Sequence, residues 1–188
     1  MQPTTNYNEE TLIAECVKGS AKAQRTLFDC FYRKMYVIAL RYSKTTFEAE
    51  DILQETFIQV FKNIANFKKD CPLEFWIRKI VVNTALKANR RKLDKMFMED
   101  ITEMVDEPFD NSTINNYNFQ ELIRIIQQLP PGFQMVFNLY AIEGYQHREI
   151  AEMLGISEGT SKSQYARARV QIQEMLEREQ SKVNVRAV

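Results

Sequence analysis

The chain carries only 5 Gly and 5 Pro among its 188 residues. These two residue types supply tight turns and interrupt regular backbone, so a chain this poor in both is expected to fold as long helices with short connections. The apolar pattern agrees. Between Ala21 and Tyr42, Leu27, Phe28, Phe31, Met35, Ile38, Ala39 and Tyr42 recur every three or four positions, the spacing that lines one side of an α-helix. Ala49, Ile52, Leu53, Thr56, Phe57, Val60, Phe61 and Ile64 repeat it. A third helix is expected from Pro72, a favoured first helical residue, through Phe75, Trp76, Ile80, Val81, Thr84, Ala85 and Ala88 into Arg90-Arg91-Lys92. Helices with one apolar side bury it against each other, so residues 8–93 are expected to form a helical bundle.

Residues 94–118 lose this period and collect Asp, Glu, Asn and Pro108, the composition of a poorly structured linker. Apolar spacing returns at Leu122, Ile125, Ile126 and Leu129, and Pro130-Pro131 restarts the chain ahead of Phe133, Val136, Phe137 and Tyr140. Residues 119–180 are then a second, small helical domain. Within it, Tyr145 to Ser157 reads as a short helix, a three-residue turn and the start of a longer helix from Glu158 to about Arg178. Gly155 stands where a left-handed C-terminal cap is needed, and Ser157 can cap the helix that follows. Helix, short turn, helix is the geometry that lays a second helix in the DNA major groove. At 100° per residue, Ser161, Tyr165, Ala168 and Ile172 face inward, Thr160, Ser163 and Arg167 lie roughly opposite, and Lys162 and Arg169 occupy one shoulder. Hydroxyl and guanidinium groups so placed can read base edges, and flanking cations can neutralise phosphates. The expected fold class is all-α: an N-terminal helical bundle, a linker and a C-terminal helix-turn-helix domain.

A formal net charge of zero conceals an uneven distribution. Residues 1–93 hold sixteen Lys and Arg against ten Asp and Glu, residues 94–118 one against seven, and residues 119–188 eight against eight. A basic first half suits a polyanionic partner, although solvated helix surfaces produce the same totals. Cys16, Cys30 and Cys71 stand far apart beside a lone His147, which fits a reducing compartment and offers no zinc spacing. No charged-then-apolar leader opens the chain, and no apolar run approaches the roughly 20 residues that span a bilayer. These features read as cytoplasmic. With no Gly-rich phosphate loop and no Ser/His/Asp set, no catalytic residue, cofactor, metal or small-molecule substrate is expected, and His147 is placed on the helix-turn-helix surface.

The run Ala49-Glu50-Asp51-Ile52-Leu53-Gln54-Glu55-Thr56-Phe57, followed by Trp76-Ile77-Arg78-Lys79-Ile80-Val81-Val82-Asn83-Thr84-Ala85, resembles the second conserved region of extracytoplasmic-function sigma factors of RNA polymerase. Leu129-Pro130-Pro131 to Leu176 resembles their fourth region, in the right order and at a suitable distance. The resemblance implies that Asp51, Gln54 and Glu55 meet the clamp of the largest polymerase subunit, and that the early helices of the second domain dock on the flap of the second-largest. It also implies that the loop from Phe67 to Glu74 receives a flipped promoter −10 base, read with Asn83, while Lys68, Lys69, Arg78, Lys79, Lys87, Arg90 and Arg91 hold phosphates. Trp76 is assigned to packing, and Phe67 to either packing or stacking. The −35 element falls to Lys162, Ser163, Ala166 and Arg167, with Thr160 and Arg169 beside them. The acidic linker would thread toward the polymerase interior, and an anti-sigma factor is a further expected partner. Gln146, Ser161 and Tyr165 depart from the family pattern, the first as a weaker cap and the others as replacements for aliphatic residues. A stand-alone helix-turn-helix regulator with a sensor bundle is the competing reading.

Overall fold

The computed structural model describes the backbone of residues 8–99 and 119–186. Eight α-helices occupy these stretches: α1 (Glu9–Val17), α2 (Ala21–Arg41), α3 (Thr46–Asn63), α4 (Leu73–Glu99), α5 (Phe119–Gln128), α6 (Pro131–Phe137), α7 (His147–Leu154) and α8 (Glu158–Arg186). There is no strand among the described residues. The chain divides into two compact units, residues 1–88 and 89–188, with the division falling inside α4. That helix also runs to Glu99, so residues 94–99, expected at the start of the linker, continue it. Helix-forming side chains at Lys95, Met96 and Glu99 favour this extension. The remainder of the acidic linker, residues 100–118, lies outside the described residues.

Short polar residues start the first three helices. The Asn8 side chain accepts from the Glu10 N–H at 3.0 Å, Ser20 from Ala23 at 3.4 Å, and Thr45 from Glu48 at 3.1 Å. Each such cap is worth about 1 kcal/mol against alanine. Glu48 in turn accepts from the Lys44 N–H at 2.8 Å, which adds a carboxylate at the positive end of α3. In the first unit α2 packs along α3. Leu27, Phe31 and Met35 of α2 and Ile52, Leu53 and Val60 of α3 are all buried, and the rings of Phe28 and Phe57 approach to 4.7 Å. Beyond α3 a 3₁₀ turn, Ile64–Asn66, leads into the loop that precedes α4.

Helix α4 buries Val81 and Ala85 as expected, but its inward side is turned from the rest of the expected stripe. Leu73, Ile77, Val81, Val82, Ala85 and Leu86 are buried, whereas Trp76 and Ile80 are half-buried and Ala88 is exposed. Phe75 is 58% exposed. Apolar residues occupy nearly the full circumference of the first two turns, so their spacing leaves the inward side undetermined. In the second unit α5, α6 and α7 lie against α8. Ile125, Ile126, Leu129 and Phe137 close over Ala168, Ile172 and Leu176. A single π-helical turn, Asn138–Ile142, extends α6 toward Gly144, whose φ of +81° ends it.

Candidate nucleic-acid and polymerase interfaces

On α3 the carboxylate and amide groups at Asp51, Gln54 and Glu55 are all exposed, opposite the buried stripe. Glu55 accepts a hydrogen bond from the Gln59 side chain at 2.7 Å. Two exposed apolar residues, Phe47 and Ile58, continue this side at four- and seven-residue steps through Asp51 and Gln54. The surface is therefore an acidic patch with apolar ends, complementary in charge to a basic surface. Phe47 and Ile58 escape a reading of composition, but their helical register with Asp51 is visible in the sequence.

The loop before α4 is held at both ends. Phe67 is only 9% exposed, and its ring sits 5.3 Å from that of Trp76. In the chain by itself the Phe67 ring is packed against Trp76, with little of its surface open. Trp76 packs on Phe67 while remaining half-buried. Lys68, Lys69, Asp70 and Cys71 are exposed. Lys69 adopts φ +60°, a conformation costly by about 1–2 kcal/mol for a residue with a Cβ. Its ammonium lies 3.0 Å from the Glu10 carboxylate of α1, and Lys34 of α2 pairs with Glu74 on the far side of the loop.

From this loop α4 carries Lys79, Asn83 and Lys87, all exposed and each four residues on, so they share one side of the helix. Arg78 is half-buried, and Arg90 is exposed. The side chain of Arg91 lies outside the described residues. The stripe brings together two of the cations singled out from the sequence, Lys79 and Lys87, with the amide of Asn83. Phe75, one step of four before Lys79, belongs to it as well.

In the second unit, turn and cap form as the sequence requires. Gly155 takes φ +69° and ψ +38°, and its N–H donates to the Ala151 carbonyl at 2.9 Å. Ser157 accepts from the Thr160 N–H at 2.9 Å. Gln146 precedes α7, and Glu149 accepts from its N–H at 2.8 Å, supplying the carboxylate half of a capping box. Ser161, Ala168 and Ile172 are buried and Tyr165 is half-buried, as the helical projection anticipated; Gln164 joins them. Thr160, Ser163, Ala166, Arg167 and Arg169 are half-buried, and Lys162 is exposed. Ser163 donates to the Thr160 carbonyl at 3.0 Å, Lys162 pairs with Glu158 at 2.7 Å, and the Arg169 guanidinium lies 5.7 Å from the centre of the Tyr165 ring. The Lys162 ammonium holds the Glu158 carboxyl below its ordinary pKa.

His147 departs from its expected surface position. It is half-buried, stacked on Tyr140 with ring centres 4.2 Å apart, and its Nδ1 lies 2.9 Å from the Ser161 hydroxyl. The buried Ser161 thereby gains a partner, which explains how a polar residue replaces an aliphatic one there. Burial pushes the His147 pKa below its ordinary value; nearby Lys162 acts in the same direction and Glu158 opposes it. No cluster of three metal-ligating side chains occurs among the described residues. None of their helices is long and apolar enough to cross a membrane.

Comparison with known proteins accounts for both halves. The family model described as "Sigma-70 region 2" matches residues 27–93, and "Sigma-70, region 4" matches residues 119–172. The chain is 28% identical over 181 residues to the ECF RNA polymerase sigma factor SigM of Mycobacterium tuberculosis, covering 95% of this chain and 90% of that protein. It is 26% identical to the RNA polymerase sigma-H factor of Pseudomonas aeruginosa, over 92% and 96% of the two chains. Among solved structures, the sigma factor RpoE in complex with the anti-sigma factor NepR from Bartonella quintana aligns over 81% of this chain and 96% of that one, at 20% identity and a TM-score of 0.48. A stand-alone helix-turn-helix regulator has no need of the region 2 match that accompanies region 4 here. With both regions present in order across most of its length, the chain belongs to the extracytoplasmic-function sigma factors, which direct core RNA polymerase to promoters.

Proposed function

We propose a division of labour in which residues 8–93 bind core polymerase and the promoter −10 element, and residues 119–180 bind the −35 element as duplex. The observation that carries this reading is the presence of two differently charged exposed surfaces in one small bundle: an acidic, apolar-ended side on α3 and a basic stripe on α4. Asp51, Gln54 and Glu55 meet the clamp of the largest polymerase subunit. Lys68, Lys69, Arg78, Lys79, Lys87, Arg90 and Arg91 neutralise phosphates around the −10 element, where Asn83 reads an unstacked base. In the second domain Lys162, Ser163, Ala166 and Arg167, flanked by Thr160 and Arg169, lie in the major groove. The earlier helices of that domain dock on the flap of the second-largest subunit. The protein itself carries out no covalent chemistry, works in the cytoplasm, and is restrained by an anti-sigma factor.

Co-elution with bacterial core RNA polymerase on a sizing column, followed by run-off transcription, tests the reading. A stoichiometric complex that initiates at defined sites is expected. Folded protein that fails to join active core enzyme would sink it.

A further inference from the structure

Two departures from the family pattern in the second unit meet at one side chain. Ser161 and Tyr165 stand where aliphatic residues are usual, four positions apart on α8, and both face His147. Its Nδ1 lies 2.9 Å from the Ser161 hydroxyl, and its ring centre lies 5.9 Å from that of Tyr165. Tyr140, from the π-helical turn, stacks on the imidazole at 4.2 Å and meets Tyr165 at 4.5 Å. The cluster thus ties α7 and the π-helical turn to α8. By contrast Thr160, Lys162 and Ser163 bond to Ser157, to Glu158 and to the Thr160 carbonyl, all at the start of the same helix. An aliphatic residue at position 161 would hold α8 against its neighbours without direction, because apolar contact is non-directional. A hydrogen bond weakens steeply away from its favoured angle. At 100° per residue, a bond at Ser161 therefore fixes where Lys162, Ser163 and Arg167 point.

We infer that His147 is a positioning residue for −35 recognition: through Ser161 it sets the rotation of α8, and with it the aim of the side chains that meet the duplex. The inference rests on the −35 assignment proposed above. Such a clasp is sensitive to acid. Helix α7 packs against α8 and the π-helical turn. Lys162, Glu158 and Tyr165 face the imidazole from α8, Tyr140 faces it from the turn, and Arg148 and Glu149 are its neighbours on α7. Burial opposes the imidazolium, as does Lys162, with Glu158 pulling the other way. An imidazolium has no acceptor nitrogen and can only donate to Ser161. Acid therefore loosens the clasp and lowers discrimination for the −35 element, whereas an imidazolium that touched phosphate would raise affinity for any duplex.

The test uses holoenzyme assembled from core polymerase and the full chain. It compares a promoter duplex from which the protein initiates with the same duplex carrying a scrambled −35 element. Discrimination, the ratio of the two affinities, is followed from pH 8 to pH 5. For the native protein it is expected to hold steady at high pH and to fall about 2- to 12-fold below about pH 6.5, the span that one hydrogen bond covers. Ser161→Val, which installs the usual aliphatic residue, is expected to stay folded but to show the reduced discrimination at every pH. His147→Asn, whose amide can occupy the Nδ1 position without titrating, keeps the native discrimination and loses the pH dependence. At each pH the three proteins bind the scrambled duplex within twofold of one another. Full discrimination by Ser161→Val, while Arg167→Ala still loses affinity for the −35 duplex, overturns the positioning role alone. Acid-strengthened binding to both duplexes that His147→Asn abolishes makes His147 a phosphate contact and also overturns it. A native holoenzyme that does not distinguish intact from scrambled −35 DNA overturns the −35 assignment and the positioning role together.

Discussion

The His147–Ser161 pair shows how far one contact can alter the reading of a residue. Fourteen positions apart, they join the start of α7 to the inner side of α8 at 2.9 Å, with the Tyr140 and Tyr165 rings around the imidazole. Burial lowers the His147 pKa from its ordinary 6.5, so the folded protein resists protonation there more than the unfolded chain does. The contribution is fully present above pH 6.5 and is lost as pH falls through the lower, folded-state pKa. Thermal unfolding of the full chain, followed from pH 8 to pH 5, is expected to show a falling Tm below about pH 6.5. His147→Gln keeps a hydrogen-bonding group but cannot titrate, and should flatten that part of the profile. An identical slope in the variant would assign the titration elsewhere. None of this is legible in a lone histidine: sequence spacing sees neighbours on one helix, and this partner sits on another.

At the scale of the element, the helix-turn-helix was the most readable part of the chain because its signals are local. Gly155 needs a positive φ and Ser157 needs only its own hydroxyl and an N–H three residues on; both act within one turn. Gly155→Ala forces a Cβ into φ +69° and should cost about 1–2 kcal/mol, read as a lower Tm, with Gly155→Asn milder because Asn tolerates that region. Equal Tm values for all three proteins would refute the strain argument. On α8, Arg167→Ala is expected to weaken holoenzyme binding to −35 duplex by about 1–3 kcal/mol if the guanidinium reads a base. An equal loss on scrambled DNA would make it a phosphate contact. Helix α4 is the counterexample. Its existence and start follow from Pro72 and the apolar run, but its buried side does not, because Leu73, Phe75, Trp76 and Ile77 surround the axis. Packing in the bundle chose Leu73 and Ile77, leaving Phe75 outside.

Over the whole molecule, the zero net charge is a sum of unlike parts, and the parts suit different partners. The basic side of α4 and the acidic side of α3 belong to the same bundle, so one small unit can face DNA and a basic protein surface without either repelling the other. The order of the two regions, the helical class, the helix starts and the turn at Gly155 were determined by the sequence alone, since each depends on residues within a few positions of one another. Tertiary structure decided which side of α4 faces out, whether Phe67 or Phe75 presents its ring, and which buried hydroxyl His147 meets. Those outcomes depend on which helix lies across the interior, and a period of 3.6 residues records that a helix has sides without recording what each side touches.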